Sequence, residues 1–172
     1  MLIQPVRYSV ILVVGFVLAV TAAAQKQTSN GSGVLEPVTA KTDLYPANAD
    51  AKKEIAGALA KAAAENKRVI LIFGGNWCYD CHVLDQALHT GEAGKIVKER
   101  FLLVHVDIGE GDKNLDLVEK YKSTLGSGVP AVSILASDER VLYSSTRGEF
   151  EAARAMMKKD LVAFLNHWKK HE

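Results

Sequence analysis

Residues 68–82 read RVILIFGGNWCYDCH, and this segment indicates the architecture of the chain more directly than any other. After Arg68, the five residues Val69 to Phe73 form a short apolar run, which is typical of a strand buried on both faces of a parallel sheet. Gly74 and Gly75 end the run, and a helix is predicted from about Cys78 to Leu88. A buried strand that leads through a glycine pair into a helix predicts an α/β fold.

Helices and strands continue to alternate along the rest of the chain. Before the buried strand, Asn48 or Asp50 can cap a helix that runs to about Asn66. The apolar periodicity predicts further helices over about 92–99, 113–122 and 149–168, and strands over about 101–106, 131–135 and 141–144. The last two strands are joined by a polar turn and are predicted to form a hairpin.

Composition and charge exclude several classes of protein. The chain has 172 residues, of which 48% are hydrophobic and 24% are charged, so its composition is that of an ordinary globular protein. Its formal net charge of +1 gives no electrostatic basis for binding nucleic acid, and no such partner is expected. Two cysteines are too few for a disulfide-dense mini-protein or for a four-cysteine zinc site.

Residues 1–24 have the pattern of an export signal. Arg7 is their only charge, residues 10–20 are apolar, and Ala22 and Ala24 occupy the −3 and −1 positions of a cleavage site. The pattern predicts a signal peptide cleaved after Ala24, and hence a periplasmic or secreted protein. The alternative is an uncleaved membrane anchor, because residues 8–24 reach the lower limit of a membrane span. Contact with a membrane is expected only through such an uncleaved leader.

The residues that follow the leader are predicted to form a linker and a single domain. Residues 25–46 are polar and rich in turn-forming types, which predicts a flexible linker. Its weak apolar patch, residues 34–38, could pair as an edge strand. Residues 47–172 are predicted to form the folded domain.

The segment from Trp77 to His82 is the motif that carries chemistry. Cys78 and Cys81 are three residues apart on a predicted first helical turn, which is close enough for a small disulfide ring. The free N–H groups and partial positive charge of a helix N-terminus stabilise the thiolate of the outer residue, Cys78. Cys81 lies one turn further in and can attack a mixed disulfide from within. The motif therefore predicts a dithiol that exchanges disulfides, with neither a metal nor another bound cofactor.

Three other interpretations of the same residues stay open. A purely structural disulfide is one, although the chain-entropy formula gives only about 2 kcal/mol for so short a loop. Attachment of c-type haem is another, because Cys78 to His82 also satisfies C-x-x-C-H; no axial partner is evident. The third is a copper or zinc site made of Cys78, Cys81 and His82, in which adjacent ligands are awkward. A non-enzymatic copper or haem module is thus the alternative function.

A second signal lies directly before the predicted strand at 131–135, where the chain reads Gly128-Val129-Pro130. Proline cannot donate to a strand ladder and therefore belongs at a strand start or edge. A cis proline here would leave the backbone of Val129 free to pair with an extended substrate chain. An ordinary loop-ending proline is the alternative.

Together these two signals resemble the thioredoxin family over about residues 48–169. The resemblance implies the thioredoxin fold, with a central mixed sheet of about four strands flanked by helices. It further implies that Cys78 is the nucleophile and that Cys81 resolves the mixed disulfide. Pro130 would face the pair beside Val129, and Trp77 would flank the substrate groove. The Asp-Cys-His portion of the motif is closer to exported bacterial members than to cytosolic thioredoxin.

Several residues depart from the family pattern and are candidate modulators of the site. Tyr79 and Asp80 replace the Gly-Pro between the cysteines, and the Asp80 carboxylate is expected to raise the pKa of the Cys78 thiol. His82, expected to be solvated, would add modest positive potential. Ile72 stands where many members carry a buried carboxylate, and His105 falls where they carry a lysine. His105 could assist proton transfer at Cys81 if its ring faces that side.

The sequence therefore predicts an exported thiol–disulfide oxidoreductase that acts on the thiols and disulfides of other proteins. A raised pKa of Cys78 disfavours the thiolate and therefore the reduced form of the pair. Because a strong oxidant owes its potential to a stabilised reduced form, a less oxidising pair and a reductase role are favoured. An unidentified redox partner is needed to recycle the protein, and a monomer is expected.

Overall fold

The computed structural model describes residues 33–41 and 43–169, and the predicted signal peptide lies outside them. The helices are α1 (Ala51–Glu65), α2 (Tyr79–His89), α3 (Gly91–Arg100), α4 (Leu115–Lys120) and α5 (Lys158–Trp168). The strands are β1 (Arg68–Gly74), β2 (Phe101–Asp107), β3 (Ala131–Leu135) and β4 (Val141–Ser144). A single turn of 3-10 helix covers Ala153–Ala155.

The strands form one mixed sheet in the order β2-β1-β3-β4. β2 runs parallel to β1, while β3 is antiparallel to β1 and β4 is antiparallel to β3. The parallel pair is connected through α2 and α3, and the β3–β4 pair is the predicted hairpin. The predicted α/β class, with a central mixed sheet of about four strands flanked by helices, is confirmed.

β1 is the central buried strand that its apolar sequence predicts, because both of its faces are covered. Ile70 and Ile72 point into a cluster formed with α2, α3 and α5. Val69, Leu71 and Phe73 point to the other face, into a cluster formed with α1 and α4. Because both faces of β1 are buried, the end of the strand is held in place. The loop that leads from it to the Cys78 motif is held in place as well.

The helix before β1 begins and ends at the predicted residues. The side chain of Asp50 caps α1 by accepting a hydrogen bond from the backbone N–H of Lys53 at 3.1 Å. Asn66 ends the helix in the left-handed conformation, with φ of 54°, which asparagine tolerates better than most residues. The predicted helix over 113–122 is shorter than expected, because only Leu115–Lys120 is helical.

The prediction of one long helix over 149–168 is wrong. Only Lys158–Trp168 is α-helical, because Met156 and Met157 are extended, with ψ of 137° at both residues. The backbone of both residues pairs with residues 34 and 35: Leu35 N–H donates to the carbonyl of Met156 at 2.9 Å, and Val34 forms an isolated bridge with Met157. A hydrogen bond to a segment distant in sequence thus replaces the helical one.

The predicted flexible linker over 25–46 departs from the structure in the part that is described. Leu35 is buried in the cluster of α2, α3 and α5, and Tyr45 is buried beside the two cysteines. The backbone N–H of Lys158 also donates to the carbonyl of Gly33 at 2.8 Å. Residues 33–41 and 43–46 therefore lie against the domain, which begins earlier than residue 47. Within the described residues, no helix combines the length and the apolar character that a membrane span needs.

Candidate active site

The two cysteines lie at the start of α2 and are joined by a disulfide, with their Cα atoms 5.3 Å apart. Cys78 is the N-cap of this helix, and its Sγ accepts a hydrogen bond from the backbone N–H of Cys81 at 3.1 Å. This is the free helix N–H that the sequence argument expected to stabilise a Cys78 thiolate. β1 positions the pair, because the chain enters the first turn of α2 soon after this buried strand ends.

The disulfide has two unlike sides. We call the outer side the surface formed by Trp77, Cys78, Tyr79, Val129 and Pro130. We call the inner side the buried surroundings of Cys81, formed by Tyr45, Gly74, Asp85 and His105. Cys78 retains 5% exposure, whereas Cys81 has none. The structure thus places Cys81 further inside than Cys78, as the sequence predicts for an attacking and a resolving cysteine.

On the outer side, Val129 and Pro130 come next to Cys78. The carbonyl oxygen of Val129 lies 3.6 Å from Cys78 Sγ. The peptide bond between Val129 and Pro130 is cis, which is the geometry expected from the sequence. The role of these two residues in substrate binding stays a prediction.

Trp77 and Tyr79 present aromatic surface on either side of Cys78. Trp77 is 54% exposed, and its ring is fixed because Nε1–H donates to the carbonyl of Gly109 at 2.8 Å. Gly75 makes room for that ring, since a Cβ there would stand 2.6 Å from Trp77 Nε1. Tyr79 is 36% exposed, and its hydroxyl accepts a hydrogen bond from the backbone N–H of Val38.

Asp80, between the cysteines, is buried and paired with Arg154. Its carboxylate accepts hydrogen bonds from the backbone N–H of Arg154 at 2.8 Å and from Nε at 3.0 and 3.1 Å, and it also contacts Nη2. The Arg154 guanidinium lies 5.3 Å from the centre of the Tyr79 ring. The carboxylate that was expected to oppose a Cys78 thiolate is therefore largely neutralised by its partner.

His82 is buried, so the expectation that it is solvated is wrong. Nδ1 accepts a hydrogen bond from the backbone N–H of Lys41 at 3.3 Å, and Nε2 then carries the proton and donates to the carbonyl of Asn76 at 2.8 Å. Because both nitrogens are engaged by backbone groups, His82 ties the 33–41 segment to the motif and is not aimed at the cysteines as a metal or haem ligand. No cluster of three or more metal-ligating side chains occurs within residues 33–41 and 43–169.

The inner side is closed by Gly74 and Tyr45. A Cβ on Gly74 would stand 2.5 Å from Cys81 Sγ and 2.7 Å from the hydroxyl oxygen of Tyr45, so the absence of a side chain lets both atoms approach the end of β1. Tyr45 is 1% exposed and packs with both cysteines. Its backbone is held by Asn76, which accepts from the Tyr45 N–H at 2.9 Å and donates to the Tyr45 carbonyl at 2.8 Å.

Behind Tyr45 lies a buried carboxylate, Asp85, with three cationic or titratable neighbours. Its oxygens lie 3.0 Å from Lys41 Nζ, 3.2 Å from His89 Nδ1 and 3.2 Å from His105 Nε2. Burial acts to raise the pKa of Asp85, but the contacts with His105, Lys41 and His89 outweigh it and lower the pKa to about 2. His105 thus faces Asp85 and the edge of the Tyr45 ring, 5.3 Å away between ring centres, rather than Cys81 itself.

Three residues of the site, Tyr45, Asp85 and Arg154, are not predicted from the sequence. Asp85 lies four residues after Cys81, which places both on one helical face, and this spacing could have revealed it. Position 72 is a buried isoleucine, and α2 supplies a buried carboxylate at Asp85. Tyr45 and Arg154 lie far from the motif in sequence and carry no local signal.

Comparisons with known proteins agree with this geometry. A family model described as thioredoxin-like matches residues 50–137. The chain is similar to the structure of a disulphide isomerase from Xylella fastidiosa Temecula1, with 34% identity, coverage of 72% of this chain and 95% of that chain, and a TM-score of 0.65. It is also similar to the oxidised C-terminal domain of DsbD from Neisseria meningitidis, with 20% identity, coverage of 69% and 96%, and a TM-score of 0.50, a likeness of fold alone. No curated protein matches the chain.

Proposed function

The chain belongs to the thioredoxin-like family of thiol–disulfide oxidoreductases, and from this premise we propose that it is an exported member that reduces or exchanges the disulfides of other proteins. The observation that carries the proposal is the Cys78–Cys81 disulfide itself. Its outer sulfur accepts a helix N–H and belongs to a residue that keeps slight exposure between the exposed Trp77 and Tyr79 in the sequence, while Cys81 is fully buried. Attack by Cys78 and resolution by Cys81 need no bound cofactor.

The outer side suits a protein substrate rather than a small thiol alone. Trp77 and Tyr79 are two of the large hydrophobic side chains exposed in the described residues, and both flank Cys78. Exposed aromatic rings contribute most of the binding energy in many protein interfaces. An extended substrate chain lying between them would meet the backbone of Val129, next to Cys78 Sγ.

The surroundings of Cys78 support a reductase rather than a strong oxidase. A strong oxidant owes its potential to a stabilised reduced form, chiefly a stabilised thiolate. Here the donor to Cys78 Sγ is a backbone N–H, the ring of His82 is turned towards Asn76, and the Arg154 cation is engaged by Asp80. Within the described residues the helix N-terminus is the group that stabilises the thiolate, so the thiolate gains modestly and the potential is expected near the thioredoxin end of the family range.

The proposal is tested by the reduction potential of the Cys78–Cys81 pair in the protein beginning at residue 25. Thiol alkylation after equilibration in graded glutathione buffers reports it, with Cys78→Ser as the variant that has no pair to titrate. We expect a reversible two-electron transition nearer −270 mV than −120 mV, in the range of about −270 to −120 mV that family members span. A transition at the oxidising limit would overturn the reductase role, and a pair that cannot be reduced far below the range would indicate a structural disulfide.

The proposed export is tested separately. Residues 1–46 are fused to an alkaline phosphatase that lacks its own leader and is active only after export, and the control fusion begins at residue 25. We expect activity only from the fusion that contains residues 1–24, and a mature chain that begins at Gln25. Activity with an uncleaved chain that resists carbonate extraction would indicate the membrane anchor, and equal inactivity of both fusions would contradict export.

A further inference from the structure

Tyr45 carries a buried polar group that the exchange chemistry described so far does not use. The residue is 1% exposed, and its hydroxyl oxygen has no hydrogen-bond partner in the described part of the chain. Burying a hydroxyl without a partner costs free energy, and native proteins rarely retain one without cause. The residue is also firmly placed. Two hydrogen bonds to Asn76 hold its backbone, and the His105 ring packs against the Tyr45 ring at nearly right angles.

The hydroxyl lies near the inner cysteine. The Tyr45 oxygen and Cys81 Sγ lie within 2.7 Å and 2.5 Å of the same point, the place where Gly74 would carry a Cβ. Tyr45 also belongs to one buried cluster with Cys78 and Cys81. The atom that changes its charge during exchange, Cys81 Sγ, is therefore a neighbour of the unpartnered donor.

We propose that the Tyr45 hydroxyl donates a hydrogen bond to Cys81 Sγ whenever the disulfide is open, and that it thereby stabilises the Cys81 thiolate both as a leaving group and as an attacking group. In the disulfide, Cys81 sulfur is a weak acceptor and the hydroxyl stays unpartnered. In the open form, the thiolate is a strong acceptor in a dry environment, where such a bond counts most. The inference rests on the proposed exchange function.

The step balances without a proton from Tyr45. When the thiolate of a reductant attacks Cys78 Sγ, a new bond forms between the two sulfurs and the Cys78–Cys81 bond breaks. Cys81 Sγ leaves with the electron pair as a thiolate and accepts the hydrogen bond. In the reverse direction, this thiolate attacks Cys78 Sγ of a mixed disulfide and the substrate sulfur leaves with the electron pair. Tyr45 keeps its proton throughout.

The charges around Tyr45 support a donor that does not ionise. Burial, reinforced by the negative charges of Asp85 on α2 and Asp107 at the end of β2, raises the pKa of Tyr45 far above its ordinary value. The other titratable group that faces the ring is His105 on β2, which is itself paired with Asp85. The hydroxyl therefore remains protonated over the whole pH range in which thiols exchange.

The test is Tyr45→Phe, which removes the oxygen and keeps the ring. The matched control is Tyr143→Phe, which removes a phenol hydroxyl from β4 on the far edge of the sheet. The first measurement is the rate at which dithiothreitol reduces the Cys78–Cys81 disulfide. Tyr45→Phe removes a hydrogen bond to a charged group, and a bond of that kind has a strength that corresponds to a reduction about tenfold slower or more. The control is expected to react at the wild-type rate.

The second measurement separates a hydrogen bond from a packing effect. In a Cys78→Ser background, the pKa of Cys81 is measured from the 13Cβ shift of labelled cysteine, with and without Tyr45→Phe. The loss of the donor is expected to raise the pKa of Cys81 by about one unit. The thermal midpoint is expected not to fall, because the hydroxyl is unpartnered in the oxidised protein.

A wild-type rate together with an unchanged Cys81 pKa in Tyr45→Phe would overturn the inference. Should Tyr45→Phe fail to fold, 3-fluorotyrosine at position 45 keeps the shape and strengthens the donor, and an unchanged Cys81 pKa there would overturn it equally. Failure of the proposed exchange function looks different: the wild-type pair itself would not titrate in glutathione buffers, whatever residue 45 is.

Discussion

The outer side of the disulfide is held by backbone groups and presents aromatic rings to solvent, whereas the inner side is closed by buried polar side chains. Cys78 Sγ meets the N–H of Cys81 and the carbonyl of Val129. Cys81, by contrast, has the Tyr45 hydroxyl beside it and the Asp85–His105 pair behind. One sulfur is thus placed for contact with a partner, and the other is shielded from water.

Because the outer and inner sides differ, similar substitutions on the two sides should have different effects on the protein. Substitutions on the outer side should alter substrate binding and the first attack while leaving the fold stable, because Trp77 and Tyr79 are exposed. Substitutions on the inner side should alter stability and the resolving step, because interiors are closely packed and buried polar groups depend on their partners.

The largest expected effect is the contrast between Cys78→Ser and Cys81→Ser. Cys78→Ser should reduce disulfide exchange to background, because the sulfur that reaches the surface is lost. Cys81→Ser should still attack once and then accumulate covalent complexes with its protein substrates, because the resolving sulfur is missing. Non-reducing gels of the two variants, incubated with a disulfide-containing protein such as insulin, measure this directly. Equal trapping by both variants would contradict the division of the disulfide into two sides.

The adjacent glycines Gly74 and Gly75 give the next largest contrast. A Cβ on Gly74 would collide with Cys81 Sγ at 2.5 Å in a region that cannot yield, so Gly74→Ala should lower the free energy of unfolding by about 2–3 kcal/mol. A Cβ on Gly75 meets the ring of Trp77, an exposed side chain that can move at the cost of its hydrogen bond to Gly109. Gly75→Ala should therefore cost about 0.5 kcal/mol and mainly raise KM for a protein substrate.

Gly57, on α1, is the control for this pair because no atom lies within 4 Å of a Cβ added there. Gly57→Ala should raise the free energy of unfolding by about 0.5–1 kcal/mol, since alanine favours a helix over glycine. Urea denaturation of the oxidised proteins measures all three values. A Gly74→Ala protein as stable as wild type would show that the inner side is loosely packed.

The outer side could be predicted from the sequence to a large extent, and the inner side could not. The Cys78–Cys81 spacing, the buried strand before it and the proline at 130 are local patterns, and each is governed by short-range physics. The helix N-terminus and the order of helices and strands along the chain follow from the same periodicities, whereas the mixed sheet was implied by the family resemblance. Tyr45 gave no such signal, because a single tyrosine in a polar segment has no periodicity to reveal that it is buried.

The charged residues show a second limit of the sequence. Asp80 and His82 were interpreted as free charges, but a partner distant in sequence determines what each one does. Asp80 is paired with Arg154, 74 residues away, and His82 is held by the 33–41 segment. The break in the predicted helix over 149–168, which positions Arg154, depends in turn on hydrogen bonds from residues 33–35. Such contacts follow from the tertiary fold and not from local propensity.

The inner side also predicts a smaller, pH-dependent effect. The pKa of Asp85 is about 2 in the folded protein and lies below its ordinary value of 3.8. A depressed pKa contributes stability that is present above the unfolded value and is lost as the pH falls towards the folded one. Between pH 4 and pH 2 the protein should therefore lose about 2 kcal/mol of unfolding free energy on account of Asp85.

Asp85→Asn is the variant that tests this dependence, and Asp116→Asn is its control. Asp116 also has a lowered pKa, through the exposed pair with Lys52, but solvent screens it. Urea denaturation at several pH values should show that the stability difference between wild type and Asp85→Asn shrinks below pH 4. A difference that is constant from pH 6 to pH 2 would show that Asp85 does not ionise with the folded-state pKa given above.

The smallest expected effect concerns Arg154, which connects the two sides by neutralising Asp80 next to the outer sulfur. Arg154→Ala leaves the buried carboxylate unpaired, which should raise the pKa of Cys78, destabilise the reduced form and make the potential more negative by about 15–30 mV. Arg154→Lys keeps the positive charge and should recover most of this change, although it loses the bidentate geometry. Alkylation in glutathione buffers resolves the difference. An unchanged or more positive potential in Arg154→Ala would mean that the Asp80 charge does not act on Cys78.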